Sequence, residues 1–167
     1  METTETIAVP DKPANLPRGW ERVINNPSGF SIGLPPGWKD RPKGSATQLS
    51  APGNLVVVSI NADRTDEALG ADLKELAELT LRSLPGLSVA DGTEARGFDH
   101  RYRATVIDAK GKKGSARQRL RLIVMRPDSI AVYSMLAASS AKLKAKQVGK
   151  IIDRIARSLR HRPVAVG

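Results

Sequence analysis

Cysteine is absent from the chain. That excludes disulfides, a thiolate nucleophile and cysteine-ligated zinc, and it leaves the redox compartment undetermined. Histidine is nearly as scarce: only His100 and His161 occur, so a catalytic base is poorly supplied. Aromatics are thin as well, two each of Phe, Trp and Tyr, which argues against a stacking platform for single-stranded nucleic acid. No run of about 18 apolar residues exists, so no segment reads as a membrane-spanning helix. The opening METTETIAVP is acidic and polar, unlike a signal peptide. The expected compartment is the cytoplasm if the chain is whole, and an extracytoplasmic space if it is a piece of a longer protein.

What remains is an ordinary globular composition, 40% hydrophobic and 26% charged over 167 residues, enough for one domain with a real core. The charge is unevenly placed. Residues 1–95 carry nine Lys/Arg against thirteen Asp/Glu, whereas residues 96–167 carry eighteen against four, giving +14 in that half. Such an asymmetry attracts anions: nucleic acid, acidic lipid, anionic polymer or an acidic protein face.

Residues 1–19, with Pro10, Pro13 and Pro17, lack apolar periodicity and read as a flexible arm or linker. A single domain is expected over 20–160, followed by a tail at 161–167. Short strands are expected at Trp20–Ile24, Phe30–Leu34 and Thr47–Ser50, and a buried one at Leu55–Ile60. The stretch between Pro35 and Gly44 reads as loop. Over 66–84 the period changes to that of a helix, with Thr65 as N-cap and Pro85-Gly86 as terminator. Strands follow at Leu87–Ala95, Phe98–Asp108, Arg117–Arg126 and Ile130–Ala137. A last helix spans 141–160, its apolar stripe being Val148, Ile151, Ile152, Ile155 and Leu159. Trp38 is expected to be buried.

Motifs that carry chemistry fail their context tests. Gly29-Phe30-Ser31-Ile32-Gly33 fits the G-x-S-x-G nucleophile elbow, but that elbow needs a strand before the serine and a helix after it. Here a turn precedes Ser31, and Pro35-Pro36 follows it too closely for a helix to start. Ser31 therefore reads as a structural strand residue. His100 beside Asp99 reads as an exposed strand-end residue, since neighbours on a strand point to opposite faces. Gly111-Lys112-Lys113-Gly114-Ser115 lacks phosphate-loop spacing and reads as a hairpin loop. Asp63, Asp66 and Glu67 do not match a calcium loop. No catalytic residue, metal or cofactor is expected.

The basic residues of the second half form the one constellation with a functional reading. Arg101 and Arg103 share one strand face, Arg117, Arg119 and Arg121 share a face of the next strand, and Lys110, Lys112 and Lys113 lie between them. If the strands pair, like charges crowd together and call for anions, neighbouring carboxylates or solvent.

"NPSGFSIGLPPGW", from Asn26 to Trp38, resembles the start of the PsbP-like fold, in which a Gly-Phe turn, a strand and a Pro-x-Gly-Trp stop recur. The order of strands and helices through "IIDRIARSLR" is similar too, over roughly Trp20 to Arg160. The resemblance implies an α+β fold: an antiparallel sheet of about six to eight strands packed by two main helices. Members include thylakoid photosystem subunits, a nuclear-transport cofactor, bacterial envelope lipoproteins, secretion chaperones and domains attached to actinobacterial Ser/Thr kinases. These are mostly non-catalytic partners, and the fold carries no functional residue across. The expected function is a non-enzymatic binding or accessory domain contacting an anionic protein or polymer surface, with nucleic acid and anionic lipid as further partner classes. The alternative is a small-molecule or lipid carrier with an apolar pocket between sheet and helix.

Overall fold

The computed structural model describes residues 11–43, 46–84, 88–89, 94–127 and 131–162. Its strands are β1 (Glu21–Asn25), β2 (Phe30–Leu34), β3 (Lys39–Lys43), β4 (Ala46–Ser50), β5 (Val56–Asp63), β6 (Ser88–Val89), β7 (Arg96–Gly97), β8 (Arg103–Lys113), β9 (Ala116–Arg126), β10 (Val132–Ser140) and β11 (Arg160–His161). Its helices are α1 (Asp66–Gly70), α2 (Leu73–Arg82) and α3 (Ala145–Ser158). All strand pairings are antiparallel. The large sheet runs β3-β4-β5-β10-β9-β8, with β6 and β7 both on the outer edge of β8; a small sheet runs β1-β2-β11. This is an α+β sandwich with one large antiparallel sheet, as the sequence implied.

Alternation along the strands builds two cores, one on each side of the large sheet. On one side, Val58, Ile60, Val106, Ile123, Met125, Tyr133 and Met135 meet Ile152, Ile155 and Leu159 of α3 and Phe30, Ile32 and Leu34 of β2. On the other, Ile107, Ala109, Leu120, Leu122 and Val124 meet Ala68 of α1 and Ala77 and Leu81 of α2. Phe30 stands edge-on to Tyr133, whose hydroxyl donates to the Gly29 carbonyl at 2.8 Å. Gly29 itself has φ +71°, a left-handed position that glycine fills without strain.

Several boundaries differ from those read off the sequence. The helix expected over 66–84 is two helices. α1 stops at Gly70, and Asp72 caps α2 by accepting from the Lys74 and Glu75 amides at 3.0 and 3.1 Å. Arg126 closes the break, donating to the carbonyls of Leu69 and Ala71 at 3.0 and 2.6 Å. β3 occupies part of the stretch read as loop; it is exposed throughout and carries Pro42, features suited to an edge strand. α3 starts at Ala145 rather than 141, and Ile151 is exposed rather than part of its buried stripe. Trp38 packs against the core as expected, with part of its surface left exposed. The Pro85-Gly86 terminator and most of the strand expected at Leu87–Ala95 lie outside the described residues.

The two ends of the domain meet in the small sheet. β11 pairs with β2, setting Arg160 beside Ser31 and His161 beside Phe30. The Ser158 hydroxyl accepts the Gly33 amide at 2.7 Å across 125 residues of sequence. Gly33 also makes room for the N-terminal segment: a Cβ there would lie 2.8 Å from Leu16, 3.0 Å from the Ser158 hydroxyl and 3.0 Å from Trp20.

A candidate anion-binding cleft

β8 and β9 form one long hairpin closed by Gly114-Ser115, with Lys113 opposite Ala116. Gly114 has φ +63° at the first central position, the conformation that lets a two-residue turn follow the twist of the strands. Strand pairing thus continues through the lysines that the sequence assigned to a loop. This decides where each charge points.

On the face toward α3, three successive cross-strand rungs are Asp108–Arg121, Lys110–Arg119 and Lys112–Arg117. The first is complementary. Arg121 forms ion pairs with Asp108 and with Asp153 of α3, both at 2.8 Å. Burial works against its charge, but the hydrogen bonds and charges of the two aspartates more than offset this and raise its pKa. Arg121 therefore fastens α3 to the hairpin and is not open to a ligand.

The next two rungs set like charges against each other. Directly opposed cations in a sheet are destabilising, yet here they occur twice in a row. Lys110, Lys112, Arg117 and Arg119 line an open cleft of about 450 Å³ together with Gly111, Gln118 and Ala141. No carboxylate is among those seven residues. Arg119 is steadied by donating to the Leu143 carbonyl in the segment that leads into α3. Lys110, Lys112 and Arg117 are exposed.

The remaining basic residues singled out in the sequence fall elsewhere. Lys113 alternates to the opposite face of the sheet from Lys112. Arg103 opens β8 opposite Arg126, at the far end of the hairpin from the turn, and Arg101 precedes it. Seven to nine residues of strand, roughly 23–30 Å, separate Arg103 from the lysines of the cleft. The hairpin therefore holds two cationic regions rather than one. Gln118, Ala141 and the tethering aspartate Asp153 carried no sequence signal, because each depends on a contact made only in three dimensions.

The cleft belongs to a wider division of charge. α3 exposes Lys146, Lys150, Arg154 and Arg157 on the cleft side of the large sheet. The layer on the other side carries Asp66, Glu67, Asp72, Glu75 and Glu78 on α1 and α2. With Lys74 and Arg82 also on α2, the helices on the two sides of the sheet differ in net charge, α3 basic and the α1–α2 pair acidic.

Other candidate chemistry is accounted for by structure. Ser31 is 2% exposed, and its hydroxyl accepts from Arg22 at 3.1 Å. His100 is half-buried, not an exposed strand end. Its Nδ1 accepts the Tyr102 amide at 3.1 Å, so Nε2 bears the proton and donates to the Ala156 carbonyl at 2.8 Å. Among the described residues no group of three His, Asp or Glu is arranged to hold a metal. The space between α3 and the sheet, where an apolar cargo would sit, is filled by Ile152, Ile155, Leu159 and the side chains they meet.

No protein-family model matches the chain, and no curated protein matches it. Solved structures do. Cyanobacterial PsbP (CyanoP) from Synechocystis is 14% identical at a TM-score of 0.56, over 86% of this chain and 92% of that one. The Ran-binding protein Mog1p of Saccharomyces cerevisiae is 13% identical at 0.57, over 84% and 94%. A Bacteroides thetaiotaomicron protein is 12% identical at 0.60, over 86% of this chain but 49% of its own, so this chain spans about half its length. The sandwich described above is therefore the fold shared by PsbP-like proteins and Mog1p.

Proposed function

We propose that the protein is a non-enzymatic binding domain that docks an anionic protein or polymer surface in the cleft between the β8–β9 hairpin and the start of α3. The observation that carries this reading is the pair of like-charge rungs, Lys110–Arg119 and Lys112–Arg117, lining a cleft without a carboxylate. Held open, they cost stability. An anion seated between them adds attractions to all four cations that outweigh their mutual repulsion. The complementary rung immediately beside them shows that the same two strands do pair opposite charges where the aim is to hold the fold together.

The fold neighbours support a binding role at the level of architecture: Mog1p is a Ran-binding protein, and a sandwich with filled cores presents its surface rather than a pocket for cargo. Arginine's planar fork matches phosphate and carboxylate better than the lysine ammonium does, so Arg117 and Arg119 carry most of the recognition. Binding should weaken steeply with salt, because the screening length falls from ~10 Å at 0.1 M to ~3 Å at 1 M. The test is a titration of duplex DNA, RNA, anionic liposomes, teichoic-type polymers, heparin and an acidic protein at two salt concentrations. Arg117→Glu with Arg119→Glu should abolish binding, and Lys110→Ala with Lys112→Ala should weaken it less, in chains whose unfolding midpoints stay near wild type. No binding to any of these, or no loss in the glutamate variant, would overturn the proposal.

A further inference from the structure

The opposite end of β8 holds a second arrangement that the cleft does not use. Tyr102, immediately before the strand, donates its hydroxyl to a carboxylate oxygen of Asp11. Nδ1 of His161 lies 2.9 Å from that oxygen and 3.1 Å from the Tyr102 hydroxyl. The His161 amide completes the frame, donating to the Tyr102 hydroxyl at 3.0 Å. His100 stacks on the other side of Tyr102, ring centres 4.9 Å apart, and its bond to Ala156 fixes the stack against α3.

The surroundings are cationic. Arg160 neighbours His161 in β11 and feels the charges of Arg101, Arg22 and Asp11. Burial first, then Arg101 and Arg22, hold its pKa below the ordinary arginine value, while Asp11 pulls the other way. Its Nε is buried and is the one such side-chain atom without a partner among the described residues. Arg101 and Arg157 act on His100 in the same sense as Arg160. A tyrosine and a histidine that converge on one carboxylate oxygen, beside an Arg160 whose terminal nitrogen donates to the Arg157 and Leu159 carbonyls, make a preorganised receptor for a single carboxylate in a cationic setting.

The occupant comes from the N-terminal segment. Asp11 leaves only a fifth of its side chain exposed there. The segment is held separately farther along, where Arg22 donates to the Ala14 carbonyl and Leu16 fills the space left by Gly33. Loss of the Asp11 contact therefore need not release the whole segment.

We propose that Tyr102, His161 and Arg160 form a second recognition site, for the carboxylate of an acidic residue on a partner protein, which Asp11 fills in cis and for which the two compete. The two histidines of the chain give the test a direct readout, since their imidazole resonances can be followed in the full-length protein. The probes are the blocked pentapeptide Ac-Ala-Ala-Asp-Ala-Ala-NH2 and its Asn counterpart, titrated into wild type, Asp11→Ala and Asp11→Asn. Asp11→Asn keeps the size of the side chain, so it remains informative if the alanine variant folds poorly. The expected result is at least tenfold tighter binding of the Asp peptide to the Asp11 variants than to wild type, shifts at His161, and no response to the Asn peptide. Adding Tyr102→Phe should remove that gain, whereas Lys112→Ala with Arg117→Ala should leave it. Equal binding to wild type and the Asp11 variants, or a gain that depends on the cleft cations, would overturn the proposal.

Discussion

Ser31, Gly33, His100 and Trp38 show how a side chain's meaning depends on what reaches it. Ser31→Ala should remove one part-buried hydrogen bond and cost about 1 kcal/mol, with a fluorophosphonate probe leaving the wild-type serine unlabelled. Gly33→Ala should cost about 1–3 kcal/mol, because Leu16, Ser158 and Trp20 must all give way; denaturant unfolding measures it. Trp38→Ala should cost about 3 kcal/mol, at the low end of the 3–5 kcal/mol of a fully buried tryptophan, since part of its surface stays wet. His100 is held below the ordinary value of 6.5 by burial first and by Arg160, Arg101 and Arg157, with its bond to Ala156 opposing them. As pH drops below that value the unfolded chain takes up a proton that the folded chain resists, so stability falls. The loss is complete once pH lies below the depressed folded value. His100→Asn should flatten this part of the profile of unfolding midpoint against pH on the acid side of 6.5. The exclusion of a nucleophile at Ser31 was legible from Pro35-Pro36 alone. The burial of His100 was not, because α3 reaches it from 56 residues away.

At the scale of elements, period and caps carried most of the information. Thr65 caps α1 as its sequence context indicates, accepting from the Ala68 amide at 3.2 Å, and β2 spans Phe30–Leu34 as read. What failed were features set by distant partners. One amphipathic stripe cannot announce a break that Arg126 closes from β9, and β3 and β11 have little apolar signal of their own. The alternating arginines of β9 were visible, but their division into a tether, Arg121, and cleft residues, Arg117 and Arg119, required the register and Asp153. A double-mutant cycle on Arg121→Ala and Asp153→Ala should therefore return a coupling of about 1–2 kcal/mol. The same cycle on Arg117 and Lys112 should return the opposite sign, since removing either cation relieves the other.

For the whole molecule, composition already announced a basic half and an acidic half, and the fold sets the basic α3 and the net-acidic α1 and α2 on opposite faces of one sheet. Encounter with a polyanion should thus be oriented, with association rate rather than dissociation rate absorbing most of the salt dependence; stopped-flow mixing at two ionic strengths measures it. The pairing of β11 with β2 has another consequence, one of time. β2 is synthesised early, yet its partner strand and the Ser158 hydroxyl that takes the Gly33 amide come from the far end of the described chain. Until those residues leave the ribosome, Phe30, Ile32 and Leu34 have no α3 to pack against, and the edge of β2 stands open. One core, between α2 and the β8–β10 strands, can close while the chain is still growing; the other must wait for its last turn of helix. A nascent chain stalled near residue 140 should therefore carry a protease-sensitive N-terminal hairpin beside a sheet that is already protected.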